Sequence, residues 1–232
     1  LGTQTDTLDI TGSVTTTCQF NHITYENAAS ALEQFRGCIV QVPPVYSAVK
    51  LDGHRLYDMA RQGLDPEPPA RTVQVFSINL VRFELPYITL EITCGKGTYI
   101  RSIARDLGLV LGSCGCLAEL QRTGYGPFRV SEGLTLEQVE TAIKKEAFGE
   151  YLQPMDTVLT GLSHVELDES SEKLVTQRQE IHMPDNPGPE ELYRAYNRYG
   201  KLVAMLAPGT EPFCLRPVKV FVQPVQSLTT GT

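Results

Sequence analysis

The sequence contains no apolar run long enough to cross a bilayer, and it has no internal repeat or low-complexity tract. A protein that does not span a membrane is therefore expected. Residues 1–6 lack the basic and apolar stretches of a signal peptide, so we expect the chain to begin in the middle of a domain and to work in the cytoplasm. Its 232 residues suffice for a substantial core and favour two lobes of unequal size.

The sequence also lacks a recognisable metal motif. Its four histidines are dispersed, and the close pair in Cys114-Gly115-Cys116 has no third ligand at the usual spacing. The remaining cysteines are scattered irregularly through a chain too long to need disulfide bonds for stability. We therefore predict free thiols in a reducing compartment and no metal.

Positive charge is scarce as well, since the net charge is −7. Residues 1–130 hold 11 Lys and Arg against 12 Asp and Glu, whereas the remaining residues hold 9 against 15. The acidity is therefore concentrated in the C-terminal part. Because binding to a phosphate backbone depends on cations clustered on one surface, the charge neither supports nor excludes RNA as a partner.

The hydrophobic pattern changes along the chain in a way that predicts a mixed α+β fold. Helices are predicted from Thr24 to Gly37, from Ile100, and from Thr135 to about Phe148, with two antiparallel strands between Arg71 and Cys94. After Leu159 the sequence becomes acidic and rich in turns between β-prone stretches, which favours a small β-rich domain. We expect a largely antiparallel sheet with helices in residues 1–158, and the β-rich domain in residues 159–232.

A first candidate site lies between Gln41 and Gly63. Two consecutive prolines, Pro43 and Pro44, force an extended segment, and the helix that follows presents Tyr57 and Arg61 on one face. An aromatic ring beside a cation suits an unstacked base and its phosphate. From the spacing alone, a tyrosine in the core and an arginine on the helix surface is the favoured interpretation.

A second candidate site is the segment Gly95-Lys96-Gly97-Thr98-Tyr99-Ile100-Arg101, where a strand leads into a helix. Its glycines allow close approach of the backbone, and Tyr99 and Arg101 come at the corner. If Ile100 points into the core, both neighbours can face a cleft. The alternative places Tyr99 at the edge of the core and Arg101 on the helix surface.

Four blocks of this sequence resemble, in order and spacing, those of TruB-type tRNA pseudouridine synthases. The blocks are residues 5–9 (Thr-Asp-Thr-Leu-Asp), 41–63, 97–101 (Gly-Thr-Tyr-Ile-Arg), and 120–123 with 126–128. Pro154-Met155-Asp156 resembles the link to the PUA-like RNA-binding domain of that family. The resemblance covers nearly the whole chain.

The resemblance implies a role for individual residues. Tyr99 would pack on the target base and is a candidate for the proton transfer at C5, and Arg101 would pair with the catalytic aspartate. Leu120 would line the uracil pocket. Contacts with RNA are implied for Lys50, Tyr57, Arg61 and Arg122.

The resemblance also implies the reaction. Such enzymes lift a uridine out of its loop, because its reacting atoms are out of reach in a stacked helix. An aspartate attacks the nucleotide, the base rotates, and C5 replaces N1 at the sugar, without a metal or organic cofactor. The implied substrate is the uridine at position 55 in the T arm of tRNA, and we expect a monomer.

Two departures from the family are visible. The nucleophilic aspartate lies in a Gly-x-Leu-Asp-Pro motif upstream of the Thr-Asp-Thr block, as does a pocket tyrosine, and this chain starts at that block. We therefore expect the chain alone to be inactive. The PUA-like part has Gln177-Arg178-Gln179-Glu180 where a glycine is expected after its first helix.

Gly63-Leu64-Asp65-Pro66 reproduces the letters of the catalytic motif. It follows a helix end and precedes a proline-rich acidic stretch, which is typical of an exposed turn, and the small residues expected after the motif are absent. We therefore interpret Asp65 as a loop residue.

Two other classes of function remain open. The chain could be a catalytically silent module that binds or folds tRNA, or a β-rich scaffold that binds protein partners through its acidic C-terminal part. Release of tritium from C5-labelled tRNA separates an enzyme from the silent module. A tRNA gel shift separates both of these from the scaffold, which would not bind tRNA.

Overall fold

A computed structural model describes residues 1–51, 53–64 and 66–221 of the chain. The chain divides into two compact units, Leu1–Gln121 and Arg122–Thr232. None of the helices in the described residues has the length and apolar character that a membrane span requires. The domain boundary predicted after residue 158 falls inside the second unit and stays a prediction.

The first unit combines short strands and helices with one long hairpin. Its elements are β1 (Thr3–Thr5), β2 (Val14–Thr17), α1 (Tyr25–Ala31), β3 (Gly37–Gln41), β4 (Lys50–Leu51), β5 (His54–Arg55), α2 (Leu56–Arg61), β6 (Arg71–Glu84), β7 (Tyr87–Cys94) and α3 (Ile100–Val110). Strands β3, β6 and β7 form an antiparallel sheet in that order, and β1 pairs with β2.

The core of this unit lies where α1 and α3 cover the three-stranded sheet. Val75 and Ile78 of β6 are fully buried and belong to one apolar cluster with Leu32, Ile103 and Leu107. Ile103 and Leu107 are four residues apart, so they lie on the same face of α3. The helical spacing in the sequence therefore identified the buried side of this helix.

Three predicted elements of the first unit are confirmed. Thr24 caps α1 by accepting a hydrogen bond from the amide of Asn27, and a 3₁₀ turn, Leu32–Phe35, continues the helix. The β6–β7 hairpin turns at Leu85-Pro86, with Glu84 opposite Tyr87. Helix α3 begins at Ile100.

The prediction of free thiols is wrong for Cys18 and Cys114, which form a disulfide with Cα atoms 5.7 Å apart. The residue Gly2 explains their proximity: its amide donates to the carbonyl of Cys114, and its carbonyl accepts from the amide of Cys18. Because the two cysteines are 96 positions apart, only the fold reveals the pair. The other cysteines in the described residues are free.

The second unit is built around a five-stranded sheet within the described residues, in the order β10-β12-β13-β14-β11. Its elements are β8 (Gly124–Tyr125), β9 (Phe128–Arg129), α4 (Leu136–Lys144), β10 (His164–Leu167), α5 (Glu169–Thr176), β11 (Ile181–His182), β12 (Tyr193–Asn197), β13 (Leu202–Pro208) and β14 (Cys214–Val220). Strands β10 and β12 are parallel, and the other pairs are antiparallel. The mixed, largely antiparallel α+β class is confirmed.

Helix α4 carries the predicted capping box, in which the side chain of Thr135 accepts from the amide of Gln138 and the side chain of Gln138 accepts from the amide of Thr135. Its predicted end near Phe148 is wrong, because α4 ends at Lys144. Glu146 has a φ of 57°, which lies in the left-handed region and ends a right-handed helix. A separate 3₁₀ turn, Phe148–Tyr151, follows.

Candidate active site and RNA-contacting surface

The corner between β7 and α3 presents the first candidate pair, Tyr99 and Arg101. Gly97 has a φ of 84°, a conformation that favours glycine, and the hydroxyl of Thr98 donates to the carbonyl of Gly95 at 3.0 Å. Tyr99 is the N-cap residue of α3, with extended backbone angles and no side-chain capping bond. The corner thus holds Tyr99 half-buried at the point where the strand becomes a helix.

Arg101 connects three of the four sequence blocks. Its Nη1 donates to the carbonyl of Thr7 at 3.0 Å, and its Nη2 donates to the carbonyl of Tyr46, also at 3.0 Å. A planar guanidinium with several donors suits such a bridge between two carbonyls. The alternative of a plain helix-surface cation is therefore excluded for Arg101, while its pairing with a catalytic aspartate stays a prediction.

Asp9 adds a carboxylate near this guanidinium. Hydrogen bonds from the hydroxyl and the amide of Thr11 lower the pKa of Asp9, and the charge of Arg101 lowers it further. Asp9 therefore stays ionised at neutral pH. Sequence reasoning placed Asp9 in the first block but assigned it no electrostatic link to Arg101.

The extended segment that follows β3 is fixed to α3 by further side-chain bonds. The hydroxyl of the buried Ser102 donates to the carbonyl of Val42 at 2.8 Å, and Arg105 donates to the same carbonyl at 3.1 Å. Arg105 also forms an ion pair with Asp106 at 2.7 Å. These side-chain bonds thus hold the proline-containing segment after β3 against helix α3.

The segment that leads to the fourth block is joined to the first block through residue 117. The amide of Leu117 donates to the carbonyl of Leu8 at 2.9 Å, and the amide of Ile10 donates to the carbonyl of Leu117 at 2.8 Å. Leu120 follows three residues later and is 63% exposed, so its apolar side chain is not part of the core. This exposure is what a residue lining an open base pocket requires, and its role stays a prediction.

A second surface carries Tyr57 between two arginines. The hydroxyl of Tyr57 accepts from Arg55 at 2.6 Å, and the guanidinium carbons of Arg55 and Arg61 lie 5.7 and 5.3 Å from the ring centroid. Lys50 is the strand partner of Arg55 in the β4–β5 hairpin and is exposed. We call Lys50, Arg55, Tyr57 and Arg61 the basic cluster.

Sequence reasoning predicted three members of the basic cluster and missed Arg55. Helical spacing pairs Tyr57 with Arg61, but Arg55 precedes the helix and reaches Tyr57 from the hairpin. Arg122, the remaining predicted RNA contact, belongs to the second unit, where its guanidinium carbon lies 5.6 Å from the ring centroid of Tyr125. Within the described residues, no group of three His, Cys, Asp or Glu side chains could hold a metal ion.

Two family models match this chain in succession. The model of the TruB family pseudouridylate synthase N-terminal domain matches residues 1–100, and the model of the tRNA pseudouridylate synthase B C-terminal domain matches residues 101–160. The corner with Tyr99 and Arg101 lies where the two matches meet. The chain therefore belongs to the TruB family of pseudouridylate synthases.

Curated relatives agree with this assignment. A tRNA pseudouridine synthase B from Dehalococcoides mccartyi is 39% identical over 226 residues, which cover 97% of this chain and 74% of the relative. A protein of the same name from a Nostoc species is 40% identical over 198 residues, covering 84% of this chain and 67% of the relative. The family and its tRNA-modifying isomerase activity are thus shown by sequence.

Solved structures share the fold at lower identity. A chain in a crystal structure of a Cbf5-Nop10-Gar1 complex matches 88% of this chain with a TM-score of 0.62 at 23% identity. A chain in an H/ACA RNP bound to a substrate RNA containing 2′-deoxyuridine matches 87% with a TM-score of 0.65 at 22% identity. This chain spans 62% of the length of each, and the likeness concerns the fold alone.

Proposed function

We propose that this chain supplies the tRNA-binding surface and part of the catalytic site of a synthase that converts uridine 55 in the T arm of tRNA to pseudouridine. The observation that supports this proposal best is the position of Arg101, whose guanidinium joins the Thr-Asp-Thr block to the proline-containing block. A cation held in this way is fixed before substrate binds, and it can orient and stabilise an ionised aspartate beside it.

Tyr99 is proposed to contact the target base. It lies two residues before Arg101 at the same corner, and its aromatic ring can stack on an unstacked uracil. During the isomerisation the N1–C1′ bond breaks and C5 forms the new bond to C1′; C5 then loses its proton, and N1 gains one. The Tyr99 hydroxyl is the proposed relay that accepts the C5 proton while passing its own to solvent, and Leu120 is proposed to line the pocket.

The basic cluster is proposed to contact the tRNA backbone, with Arg122 as a further contact. The two arginines beside Tyr57 present their cations next to an exposed hairpin, where phosphates can approach. We propose a monomer that recognises the T stem-loop. Binding of this kind weakens as salt rises, because each phosphate contact releases counterions.

The chain of 232 residues is expected to form no pseudouridine by itself, because the family nucleophile lies upstream of the Thr-Asp-Thr block. Asp65, in the tetrapeptide that imitates the catalytic motif, lies outside the described residues. We propose that it is not the nucleophile. A catalytically silent tRNA-binding module remains the second candidate function for this chain alone.

The test compares this chain with a fusion protein that carries, before Leu1, the segment preceding the Thr-Asp-Thr block in the Dehalococcoides mccartyi relative. Tritium release from C5-labelled tRNA is measured for both, with tRNA that has cytidine at position 55 as the substrate control. The fusion protein should release tritium only from uridine 55, and changing the aspartate of the added motif to asparagine should abolish release.

The unfused chain should bind tRNA in a gel shift and release no tritium. Release by the unfused chain that disappears in Asp65→Ala would identify Asp65 as the nucleophile and refute our placement of the site. Absence of tRNA binding by both proteins would contradict the RNA-binding surface and favour a scaffold for protein partners.

A further inference from the structure

Gln41, the last residue of β3, has a buried side chain that is only 2% exposed. Its carboxamide makes two hydrogen bonds to the backbone of a single residue. Nε2 donates to the carbonyl of Tyr99 at 3.1 Å, and Oε1 accepts from the amide of Tyr99 at 2.8 Å. The carboxamide therefore contacts Tyr99 in the way that a neighbouring β-strand would.

One of these two bonds supplies support that Tyr99 lacks from its own helix. As the N-cap residue of α3, its carbonyl accepts from the amides of Ser102 and Ile103, but its amide lies before the helix and has no acceptor there. Oε1 of Gln41 supplies that acceptor. Leaving a partly buried amide without a partner costs free energy, so this bond constrains the Tyr99 amide.

The constraint bears on the direction of the Tyr99 side chain. The backbone angles of Tyr99, φ −99° and ψ 107°, fix where its Cα–Cβ bond points. Gly97 two residues earlier is in the left-handed region, and the preceding segment can therefore hinge more freely than one of larger residues. Because both the amide and the carbonyl of Tyr99 are held, rotation of the two peptide units that flank its Cα atom is limited.

We infer that Gln41 is a positioning residue for the isomerisation, which aims the ring of Tyr99 at the target base by holding the Tyr99 backbone from β3. The inference rests on the proposed role of Tyr99. The contact joins the end of the sheet to the first turn of α3 across 58 positions of sequence. Gln41 thereby links the sheet to the catalytic corner without touching the substrate.

The alternative is that Gln41 merely stabilises the fold as a satisfied buried amide. Ser102 offers a matched control, because its fully buried hydroxyl also joins the first turn of α3 to the segment after β3. It does so through Val42 and leaves the Gln41–Tyr99 pair untouched. A purely structural role predicts similar effects for Gln41→Met and Ser102→Ala.

The first experiment uses the chain as it is and measures hydrogen exchange of the Tyr99 amide by NMR. Gln41→Met removes the acceptor, so exchange at Tyr99 should accelerate by at least about tenfold while core amides of β6 stay protected. Ser102→Ala should leave the Tyr99 amide protected. Unchanged exchange at Tyr99 in Gln41→Met would refute the proposed constraint.

The second experiment measures pseudouridine formation by the fusion protein. Misplacement of a reacting group by about 1 Å can cost about 10²-fold in rate, so kcat should fall by that order in Gln41→Met while KM changes by less than about threefold. Ser102→Ala should keep kcat within about threefold at a comparable loss of thermal stability. An equal fall of kcat in both variants would overturn the inference.

Gln41→Glu keeps the shape of the side chain and serves if Gln41→Met does not fold. Its carboxylate can still accept from the Tyr99 amide but cannot donate to the carbonyl, so the amide should stay protected while kcat falls. Wild-type kcat in Gln41→Glu would refute the need for the second bond. Inactivity of the unsubstituted fusion protein would instead contradict the proposed function, and the exchange experiment would still decide whether Gln41 holds Tyr99.

Discussion

Arg101 uses two of its guanidinium nitrogens on backbone carbonyls, which leaves Nε and the remaining N–H groups for other partners. If one partner is the catalytic aspartate, Arg101→Ala in the fusion protein should reduce turnover far more than tRNA affinity. Removing one member of a buried pair costs about 3–5 kcal/mol, and the half-buried position of Arg101 favours the lower end of that range. Single-turnover rates and a gel shift measure the two quantities separately.

Arg105 is the matched control for this prediction, because it lies one turn further along α3, bonds the carbonyl of Val42 and pairs with Asp106. Arg105→Ala should change turnover little. A variant Arg101→Ala with full turnover and weaker, more salt-sensitive binding would show that Arg101 contacts a phosphate.

The hydroxyl of Tyr99 can be separated from its ring. Tyr99→Phe should retain stacking on the base but lose most activity, since a proton-transfer group typically contributes about 10²–10⁴-fold. Tyr99→Leu should lose the stacking as well, which is worth roughly 1–3 kcal/mol per base. Rates for tRNA at saturating concentration provide the test, and equal rates for Phe and wild type would reduce Tyr99 to a stacking surface.

The sequence places Tyr99 and Arg101 together at one corner because they lie in one short segment with glycines before a helical repeat. Their catalytic roles come from the family resemblance and stay predictions. Gln41 and Arg55 could not be predicted in their roles. The partner of Gln41 is 58 positions away, and Arg55 reaches Tyr57 from a hairpin that the sequence pattern does not show. Neither a side-chain bond to a distant backbone group nor a contact from a hairpin to the helix that follows it leaves a periodic signal in a sequence.

At the scale of elements, α3 packs against the segment after it through two glycines. A Cβ atom on Gly115 would lie 2.5 Å from the carbonyl oxygen of Ala104, and one on Gly108 would lie 2.5 Å from the amide nitrogen of Gly115. Both obstacles are backbone atoms, so neither can move aside without shifting the helix or the segment. This close approach places α3 directly on the chain that leads to Leu120.

Gly115→Ala should therefore destabilise the protein by about 1–3 kcal/mol, the usual cost of overpacking. Gly161→Ala is the control, because a Cβ atom there meets open space and the backbone angle is ordinary. Urea unfolding gives both values. Equal midpoints for Gly115→Ala and wild type would contradict the close packing of α3 that we describe.

Helix starts were easier to predict than helix ends. Thr24 and Thr135 identified two starts because a side-chain oxygen must satisfy a free amide in the first turn. The end of α4 was misplaced because Glu146 adopts a left-handed conformation that its residue type does not favour. The Cys18–Cys114 bond was missed for a different reason, since pairing of distant cysteines depends on tertiary structure.

At the scale of the whole molecule, a net charge of −7 is compatible with RNA binding because the cations are grouped. The basic cluster collects Lys50, Arg55 and Arg61 around Tyr57 in the first unit. The sequence gives the charge of each part of the chain but not this grouping. The division into two units at residue 121 was likewise not visible, because no change of composition marks it.

Arg61→Ala should weaken binding by a similar factor for tRNAs of different sequence, because a phosphate contact carries no base information. It should also reduce the steepness of log affinity against log salt by about 1. Arg55→Ala should do the same, with the added loss of its bond to Tyr57. Arg82→Ala is the control, since Arg82 is exposed on the β6–β7 hairpin and paired with Glu84. An unchanged salt slope in Arg61→Ala would remove Arg61 from the RNA-contacting surface.

The junction between β3 and α3 is held by side chains that bond to backbone carbonyls of Thr7, Val42 and Tyr46. A carbonyl is present whatever the residue type, whereas the donating groups of Gln41, Arg101, Ser102 and Arg105 exist only in those side chains. Substitutions should therefore be tolerated better where a residue supplies only its backbone carbonyl than where it supplies a donating side chain. In a saturation library scored for turnover, the accepting positions should admit many residues, while Gln41 and Arg101 should admit few.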